Sequence, residues 1–467
     1  MKEKVRSQLQ AVFYPRSVAV IGATDDPQRV GFNLLESVVY GGFRGKIYPV
    51  HPRLQSILGL PVYRSLDEIP GPVDLAVIAL NQEATVAVLE DCRRRGVRGV
   101  VCVAGGFGEM GEEGAELEKR LAEMAAASDM LVIGPNTLGL INNDARLYAT
   151  FYPLRLPAGR VSIVSQSGGV GLAVMQKALD EGMGVNKWIG VGNRTQLEFA
   201  DYLEYLAADD GTDVIGVFLE GTDEARRFMQ AAGRINLTKP VVVLKAGRSE
   251  EAGRFAVSHT GSMAGSYCLY RDICRQQGLP VVETIEELVA VCKALSLCSI
   301  PRGGRVGVLT HTAGPSIVAA DRILLMGGEL PAPAASTIAG IKEVIGQNPP
   351  VVLKNPLDVA GLGFAAGPYG RLAGVMLQDP GMDMLLAIYC LHKNWPFPTE
   401  ELIRAKQKWG KPVIAYYVST WEGCRQERPR LQEAGIPLYT GAEEAARAVG
   451  ALVHYARLTG RRGAVGW

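Results

Sequence analysis

Gly159-Arg160-Val161-Ser162-Ile163-Val164-Ser165-Gln166-Ser167-Gly168-Gly169 is the stretch that decides the fold. An apolar, strand-like run ends in two serines flanking one other residue. A glycine pair follows, and then a helix-like stretch over 170–179. A buried strand that turns through glycines into a helix is the unit of a doubly wound parallel sheet. It puts the free N–H groups of the helix N-terminus at the carboxyl end of the strand. The pattern returns 145 residues later as Gly304-Arg305-Val306-Gly307-Val308-Leu309-Thr310-His311-Thr312-Ala313-Gly314. Gly-Arg-Val, an apolar pair, two hydroxyl residues around one other and a closing glycine recur in order. The interval is one domain length, so the two sets read as variants of one unit.

The residues before them supply a third set. Residues 17–22 read as a buried parallel strand, 23–31 as a loop and the run from Phe32 as a helix. No G-x-G-x-x-G is present, so a nicotinamide dinucleotide site is not supported. Further strands are expected at 46–50, 73–80, 99–104 and 130–133, with helical segments between them, which makes an open parallel sheet. Ligands of such sheets bind at the carboxyl ends of the strands. That rule points to Gly22, Ala23 and Thr24, to Val50, His51, Pro52 and Arg53, to Leu80 and Asn81, and to Ala104 and Gly105. Asn136 lies in the Gly134-Pro135-Asn136 turn that closes the set. His51 and Arg53 read equally as phosphate ligands or as a solvated turn.

At 467 residues the chain has room for about three domains of ~150 residues. The expected division is 1–150, 151–300 and 301–460, an α/β chain of three consecutive doubly wound parallel-sheet domains. Strands at 214–219 and 241–244 belong to the second, and those at 384–389 and 412–417 to the third. With 49 basic and 48 acidic residues the net charge is +1, which points away from nucleic acid or membrane as the main partner. The eight cysteines form no C-x-x-C pair, so neither a zinc site nor a thioredoxin-like centre is indicated. No metal ligands are assigned. The N-terminus lacks a signal-peptide core and no apolar run approaches ~20 residues, so a soluble, cytoplasmic protein is expected.

One loop stands out chemically, Arg254-Phe255-Ala256-Val257-Ser258-His259-Thr260-Gly261-Ser262-Met263-Ala264-Gly265-Ser266. A histidine among small, hydroxylated and glycine residues has little to pack against, and function concentrates on such loops. With a reference pKa of about 6.5, much of an imidazole is neutral and nucleophilic near pH 7. Attack on a phosphoryl group would give a phosphoramidate that can pass the phosphoryl on in either direction. His259 then needs an orienting group, a phosphate cradle and a phosphoryl source. Ser165, Ser167, Gly168 and Gly169 form an apt anion turn. His311 is the competing histidine and is read as bonding within its own turn.

Taken together, these stretches resemble the nucleoside-diphosphate-forming acyl-CoA synthetases, in particular the α subunits of ADP-forming acetate–CoA ligase and succinyl-CoA ligase. The resemblance is carried by Val18-Ala19-Val20-Ile21-Gly22-Ala23, Gly45-Lys46-Ile47-Tyr48-Pro49-Val50, Gly134-Pro135-Asn136 and Ser165-Gln166-Ser167-Gly168. Leu219-Glu220-Gly221, Leu244-Lys245-Ala246-Gly247-Arg248-Ser249, Ser258-His259-Thr260-Gly261 and Asn355-Pro356-Leu357-Asp358 continue it. It implies a Rossmann-like CoA-binding domain followed by two flavodoxin-like domains. It also implies that His259 is the phosphohistidine and that Glu220 orients it. Ser165, Ser167 and Gly168 would receive the phosphorylated ring, and the first domain would bind coenzyme A. The implied activity converts acyl-CoA, ADP and phosphate into a small organic acid, ATP and CoA.

The family's ATP-grasp module is not among the three sets. A separate β subunit carrying ADP or ATP and Mg²⁺ is therefore expected, in an α₂β₂ assembly. The third set departs from the family's Gly-Gly-Pro-Gly at His311-Thr312-Ala313-Gly314-Pro315-Ser316. A non-catalytic CoA-binding regulatory protein of the same fold is the alternative.

Overall fold

The computed structural model describes residues 3–249, 251–252, 266–349, 351–390 and 395–463, with side chains through residue 460. The chain divides into two compact units, Met1–Leu179 with Gly184–Ile285, and Asp180–Met183 with Glu286–Trp467.

The first unit opens with α1 (Glu3–Phe13), β1 (Ser17–Ile21), α2 (Val30–Tyr40), β2 (Lys46–Val50) and β3 (Leu75–Ile78). It continues through α3 (Gln82–Arg94), β4 (Gly99–Cys102), α4 (Glu112–Ala126) and β5 (Leu131–Ile133). These five strands form a sheet of order β2-β1-β3-β4-β5, parallel throughout. Val18, Ala19, Val20, Leu75, Ala76 and Val77 are wholly buried. Both faces of the sheet are covered, which is why its strands read as unbroken apolar runs rather than alternating ones. The chain winds to one side of β1 and then to the other, so the crevice of a switched sheet opens at the carboxyl end of β1.

A second sheet in the same unit is built from β6 (Gly139–Asn142), β7 (Leu147–Thr150), β8 (Ala158–Ser165), α5 (Gly168–Asp180), β9 (Val185–Gly190) and α6 (Phe199–Ala207). β10 (Val214–Leu219), α7 (Ala225–Ile235), β11 (Val241–Lys245), α8 (Tyr267–Gln276) and β12 (Val281–Val282) complete it. Its order is β12-β11-β10-β8-β9-β6-β7. Five of its strands run parallel, and the β6–β7 hairpin pairs antiparallel against β9. Hydrogen bonding thus places residues 139–150, just before the expected boundary, in the second sheet. One apolar cluster runs through both sheets, from Leu9, Val18 and Val20 to Val164, Ile189 and Tyr202. Phe13 stacks on Tyr205 at 5.0 Å between centroids, and Asn142 Nδ2 donates to the Phe13 carbonyl at 2.7 Å.

The second unit holds α9 (Ile285–Leu297), β13 (Val306–Thr310), α10 (Ala313–Leu325), α11 (Ala335–Ile345), β14 (Leu357–Asp358) and α12 (Ala366–Gln378). It ends with β15 (Met384–Cys390), α13 (Thr399–Trp409), β16 (Val413–Val418), α14 (Glu427–Glu433), β17 (Leu438–Tyr439) and α15 (Ala442–Gly463). Its five-stranded sheet is parallel, in the order β14-β13-β15-β16-β17. No helix among the described residues is long and apolar enough to cross a membrane.

The repeated Gly-Arg-Val has a structural role. In each sheet an arginine at the start of one strand meets an aspartate just before its neighbour. Arg16 N donates to Asp74 Oδ2 at 2.8 Å, Arg160 Nη2 to Asp213 Oδ1 at 2.7 Å, and Arg305 N to Asp383 Oδ2 at 3.0 Å. The Asp213 and Asp383 amides return bonds to the Arg160 and Arg305 carbonyls, at 2.8 and 2.7 Å. Asp383 is 5% exposed and also takes Arg305 Nε and Nη2, at 3.0 and 2.8 Å. Burial works against its charge, but these bonds outweigh it and hold its pKa below the usual carboxylate range.

A carboxyl with a depressed folded-state pKa contributes stability above its unfolded pKa and loses it as pH falls. Asp383→Ala should therefore destabilise the second unit by about 1.5–3 kcal/mol at neutral pH. In urea titrations that difference should shrink below about pH 4. A difference that persists unchanged at pH 2 would refute the assignment.

Candidate active site

Two cavities of the first unit collect most of the residues singled out from the sequence. The first lies at the carboxyl end of β1. Gly22 turns there with φ +86°, and its N–H donates to the Val50 carbonyl at 3.1 Å. The first turn of α2 comes so close that a Cβ on Gly31 would stand 2.0 Å from the Gly22 carbonyl oxygen. Only a residue without a Cβ allows that approach, which brings a helix N-terminus up to the turn. The cavity measures about 450 Å³ and is lined by Gly22, Thr24, Val50, His51, Pro52 and Leu80, together with Arg29 and Arg64. His51 Nδ1 accepts from the Arg53 and Leu54 amides, both at 3.2 Å, so a neutral ring carries its proton on Nε2.

Other members of the predicted set are placed elsewhere. Ala23 is wholly buried, and Asn81 caps α3 by accepting the Ala84 amide at 3.0 Å. Arg53, Ala104 and Gly105 are not part of the lining. Asn136 belongs to the other cavity. Its amide donates to the Ala104 carbonyl at 2.8 Å and it holds φ +57°.

The second cavity, of about 400 Å³, sits at the carboxyl ends of β8, β9 and β10. Gln166, Ser167, Gly168 and Gly169 line it from the β8–α5 turn, and Glu220 lines it from the end of β10. Asn136, Asn193 and Arg194 complete its polar wall, and Val103, Leu138 and Phe151 give it an apolar side. The helix begins at Gly168. Ser167 takes the Val170 amide on its hydroxyl at 3.4 Å and the Gly171 amide on its carbonyl at 2.9 Å, which leaves the Gly168 and Gly169 amides, at the cavity lining, without a partner among the described residues. Ser165 lies beneath the turn. It is fully buried and its hydroxyl donates to the Ser167 carbonyl at 2.8 Å, which makes it a brace of the turn rather than part of the wall.

Glu220 is held at both ends of its backbone. Its amide donates to Gln166 Oε1 at 2.8 Å, and its carbonyl accepts Lys245 Nζ at 2.8 Å. Lys245 is 2% exposed, donates also to the Ala246 carbonyl at 2.7 Å, and lies over the Tyr270 ring. Burial pulls its pKa down to about 8, with the nearby Glu220 charge working the other way. His259 and its neighbours 253–265 lie outside the described residues, so the expected Glu220–His259 geometry does too.

The sequence reading missed a polar network joining the loops of the two sheets. Asn193 Nδ2 donates to Glu109 Oε2 at 2.7 Å and to Glu118 Oε2 at 2.9 Å, while Asn136 Nδ2 approaches Asn193 Oδ1 at 3.3 Å. Burial disfavours the Glu109 charge, but bonds from Asn193, Gly106 and Phe107 hold its pKa below the usual range. Arg194 is buried with φ +60° and pairs with Glu198 at 3.3 Å. A non-glycine residue in that backbone region was the signal, and it shows only in coordinates.

In the second unit, His311 bonds across the sheet among the described residues, where a bond within its own turn was expected. Its Nε2 accepts the Cys390 amide across the sheet at 2.9 Å, and its ring packs on Phe364 and Tyr389. This arrangement mirrors Gln166, which takes the amide of Glu220 at the matching strand end. Thr310 repeats the Ser165 brace, donating to the Thr312 carbonyl at 2.8 Å.

Comparisons with known proteins agree with this layout. The CoA binding domain family matches residues 16–143, and the family described as succinyl-CoA ligase like flavodoxin domain matches residues 158–295. The chain is 39% identical to the acetate–CoA ligase (ADP-forming) II subunit alpha of Pyrococcus furiosus, over 97% of this chain and 99% of that one. It is 35% identical to the acetate–CoA ligase (ADP-forming) I of Archaeoglobus fulgidus, over 97% of this chain and 64% of that one. A solved structure of the Ca. Korarchaeum cryptofilum dinucleotide forming acetyl-coenzyme A synthetase 1, in complex with phosphate and ADP, matches with a TM-score of 0.89. The two are 33% identical, over 98% and 99% of the respective chains. These relatives are named as ligases and synthetases, which sets aside the regulatory alternative.

Lys245 provides a test of the electrostatics. A lysine whose folded-state pKa is lowered binds fewer protons than the unfolded chain between the two values. Stability should therefore rise with pH from about 8 to about 10.5. Relative to Lys245→Met, the wild-type unfolding free energy should climb by up to about 1.4 kcal/mol per pH unit in that window. Parallel curves for the two proteins would refute the perturbed lysine.

Proposed function

The chain belongs to the family of ADP-forming acid–CoA ligases, and on that premise we propose that it is the α subunit of an acyl-CoA synthetase working through a phosphohistidine. The observation that carries the reading is the second cavity. It sets the Glu220 carboxyl-bearing strand end against the N-terminus of α5, a pairing of one acid with one anion cradle. The turn that holds Gln166 to Gly169 and the strand end that holds Glu220 both lie in the segment matched by the succinyl-CoA ligase like domain.

The proposed chemistry has three transfers. A phosphate oxygen attacks the thioester carbonyl, the C–S bond breaks and CoA leaves as thiolate, giving an acyl phosphate. A ring nitrogen of His259 then attacks phosphorus and the carboxylate leaves. Finally a terminal phosphate oxygen of ADP attacks the phosphoramidate, the N–P bond breaks and ATP forms. Glu220 orients the imidazole and fixes its tautomer. The backbone amides of Gly168 and Gly169, with Ser167, receive the phosphoryl group. Ser165 serves that turn from beneath.

CoA is proposed to bind in the first cavity, where the Gly22 turn and the α2 N-terminus fit a phosphate and Arg29 and Arg64 add positive charge. His51 fits that role as a donor through Nε2, since its Nδ1 is taken up by the Arg53 and Leu54 amides. Asn136, which lines the second cavity and bonds Ala104 through its backbone amide, is proposed with Ala104 and Gly105 to border the route from CoA to the acyl carbon. The three sheets are proposed to act as the three domains read from the sequence. The nucleotide and its Mg²⁺ are proposed to sit on a separate ATP-grasp β subunit, in an α₂β₂ enzyme of the cytoplasm. Two facts support a divided enzyme. The chain spans nearly all of a relative named subunit alpha, and about two thirds of a relative whose name mentions no subunit.

Labelled phosphate supplied with an acyl-CoA panel should put an acid-labile, base-stable label on the chain, in the presence of the β subunit if the chain alone stays blank. His259→Ala should carry none, His311→Ala should label normally, and Glu220→Gln should label about 10–100-fold more slowly. Label that survives in His259→Ala would sink the reading.

A further inference from the structure

Gln166 is 7% exposed and lines the second cavity beside Ser167, Gly168 and Glu220. The two ends of its amide are in opposite states. Oε1 accepts from Glu220 N at 2.8 Å and from Gly221 N at 3.1 Å. Two N–H donors on one atom settle which end is oxygen, so the NH₂ group is turned the other way. Nε2 is buried and has no hydrogen-bond partner among the described residues. Native proteins leave few such donors, and one beside a cavity marks a place for an acceptor. In the first turn of α5 the Gly168 and Gly169 amides, at the lining of the same cavity, have no partner among the described residues, and the helix N-terminus favours negative charge there. The two features are independent, and both ask for an anion with several oxygens.

We propose that Gln166 is a phosphoryl-binding residue. Its Nε2 donates to an oxygen of phosphate, free or as acyl phosphate, at the α5 N-terminus, while its Oε1 holds the strand end that carries Glu220. The identity of the anion rests on the ligase reading above. The geometry of the orphaned donor does not. One side chain thereby fixes the distance between the anion and the acid that serves it.

The test is phosphate binding by the full chain, measured calorimetrically with inorganic phosphate as the probe. Gln166→Glu is isosteric and keeps an acceptor for the two amides, but turns an oxygen toward the anion. It should bind phosphate at least about 10-fold more weakly than wild type, the size expected for losing a donor to a charged group. Gln166→Lys supplies donors without the acceptor and Gln166→Met supplies neither, so the lysine variant should bind at least about 10-fold more tightly than the methionine variant. The lysine–methionine comparison stands even if Gln166→Glu fails to fold. Gln166→Glu within twofold of wild type, a lysine variant no better than methionine, or a wild-type chain that binds no phosphate would each overturn the proposal. Gln166-dependent binding in a chain whose His259 takes no label would overturn the transfer reading and leave this assignment standing.

Discussion

The arginine–aspartate pair at the amino end of neighbouring strands is the constraint on which each sheet's working end depends. Parallel strands can slip, and a slip of one residue turns every side chain to the opposite face. The pair prevents that by tying the start of one strand to the residue before the next, through side chain and backbone together. Register follows directly. Ser165 faces Phe218 and Thr310 faces Ile388. The first residue beyond β8 therefore reaches the amide beyond β10, and the first beyond β13 reaches the last amide of β15. Gln166 and His311 fill those positions and take up donors that the ladders leave unpaired.

The buried lysines show how partner chemistry separates scaffold from site. Lys187 bonds Asp209 at 2.8 Å and Lys293 bonds Glu181 at 2.6 Å, each within hydrogen-bond reach of a carboxylate. Lys245 is as deeply placed, yet its described partners are the carbonyls of Glu220 and Ala246. A carbonyl carries a partial charge, so it compensates the ammonium less than a carboxylate does, and desolvation prevails. The charge tension lies directly behind Glu220, at the edge of the cavity.

Much of this was legible before any coordinates. Buried parallel strands read as continuous apolar runs because both faces are covered, and 17–22, 46–50, 214–219 and 384–389 all fall on strands. Glycine turns marked the strand ends, and the 145-residue repeat marked two sheets of one design. The β6–β7 hairpin escaped notice because its four-residue strands carry no long apolar signal and it joins the sheet only through β6, on β9, far along the chain. Ser165 and Ser167 looked alike in sequence. One bonds under the turn and the other faces the cavity, a difference set by which way the strand's last residue points.

The order of strand, glycine turn and helix, the repeat and the chemically distinct His259 loop were determined by local sequence, because period, turn chemistry and residue type act over a few neighbours. The tertiary structure alone decided which distant atoms meet. Asn136 left the first cavity for the second, Asn193 bridged Glu109 and Glu118, and Gln166 gave its amide oxygen to a strand end and kept a buried, unpartnered nitrogen beside a cavity. Those outcomes depend on register, twist and shared core packing between strands, which no single stretch of the chain encodes.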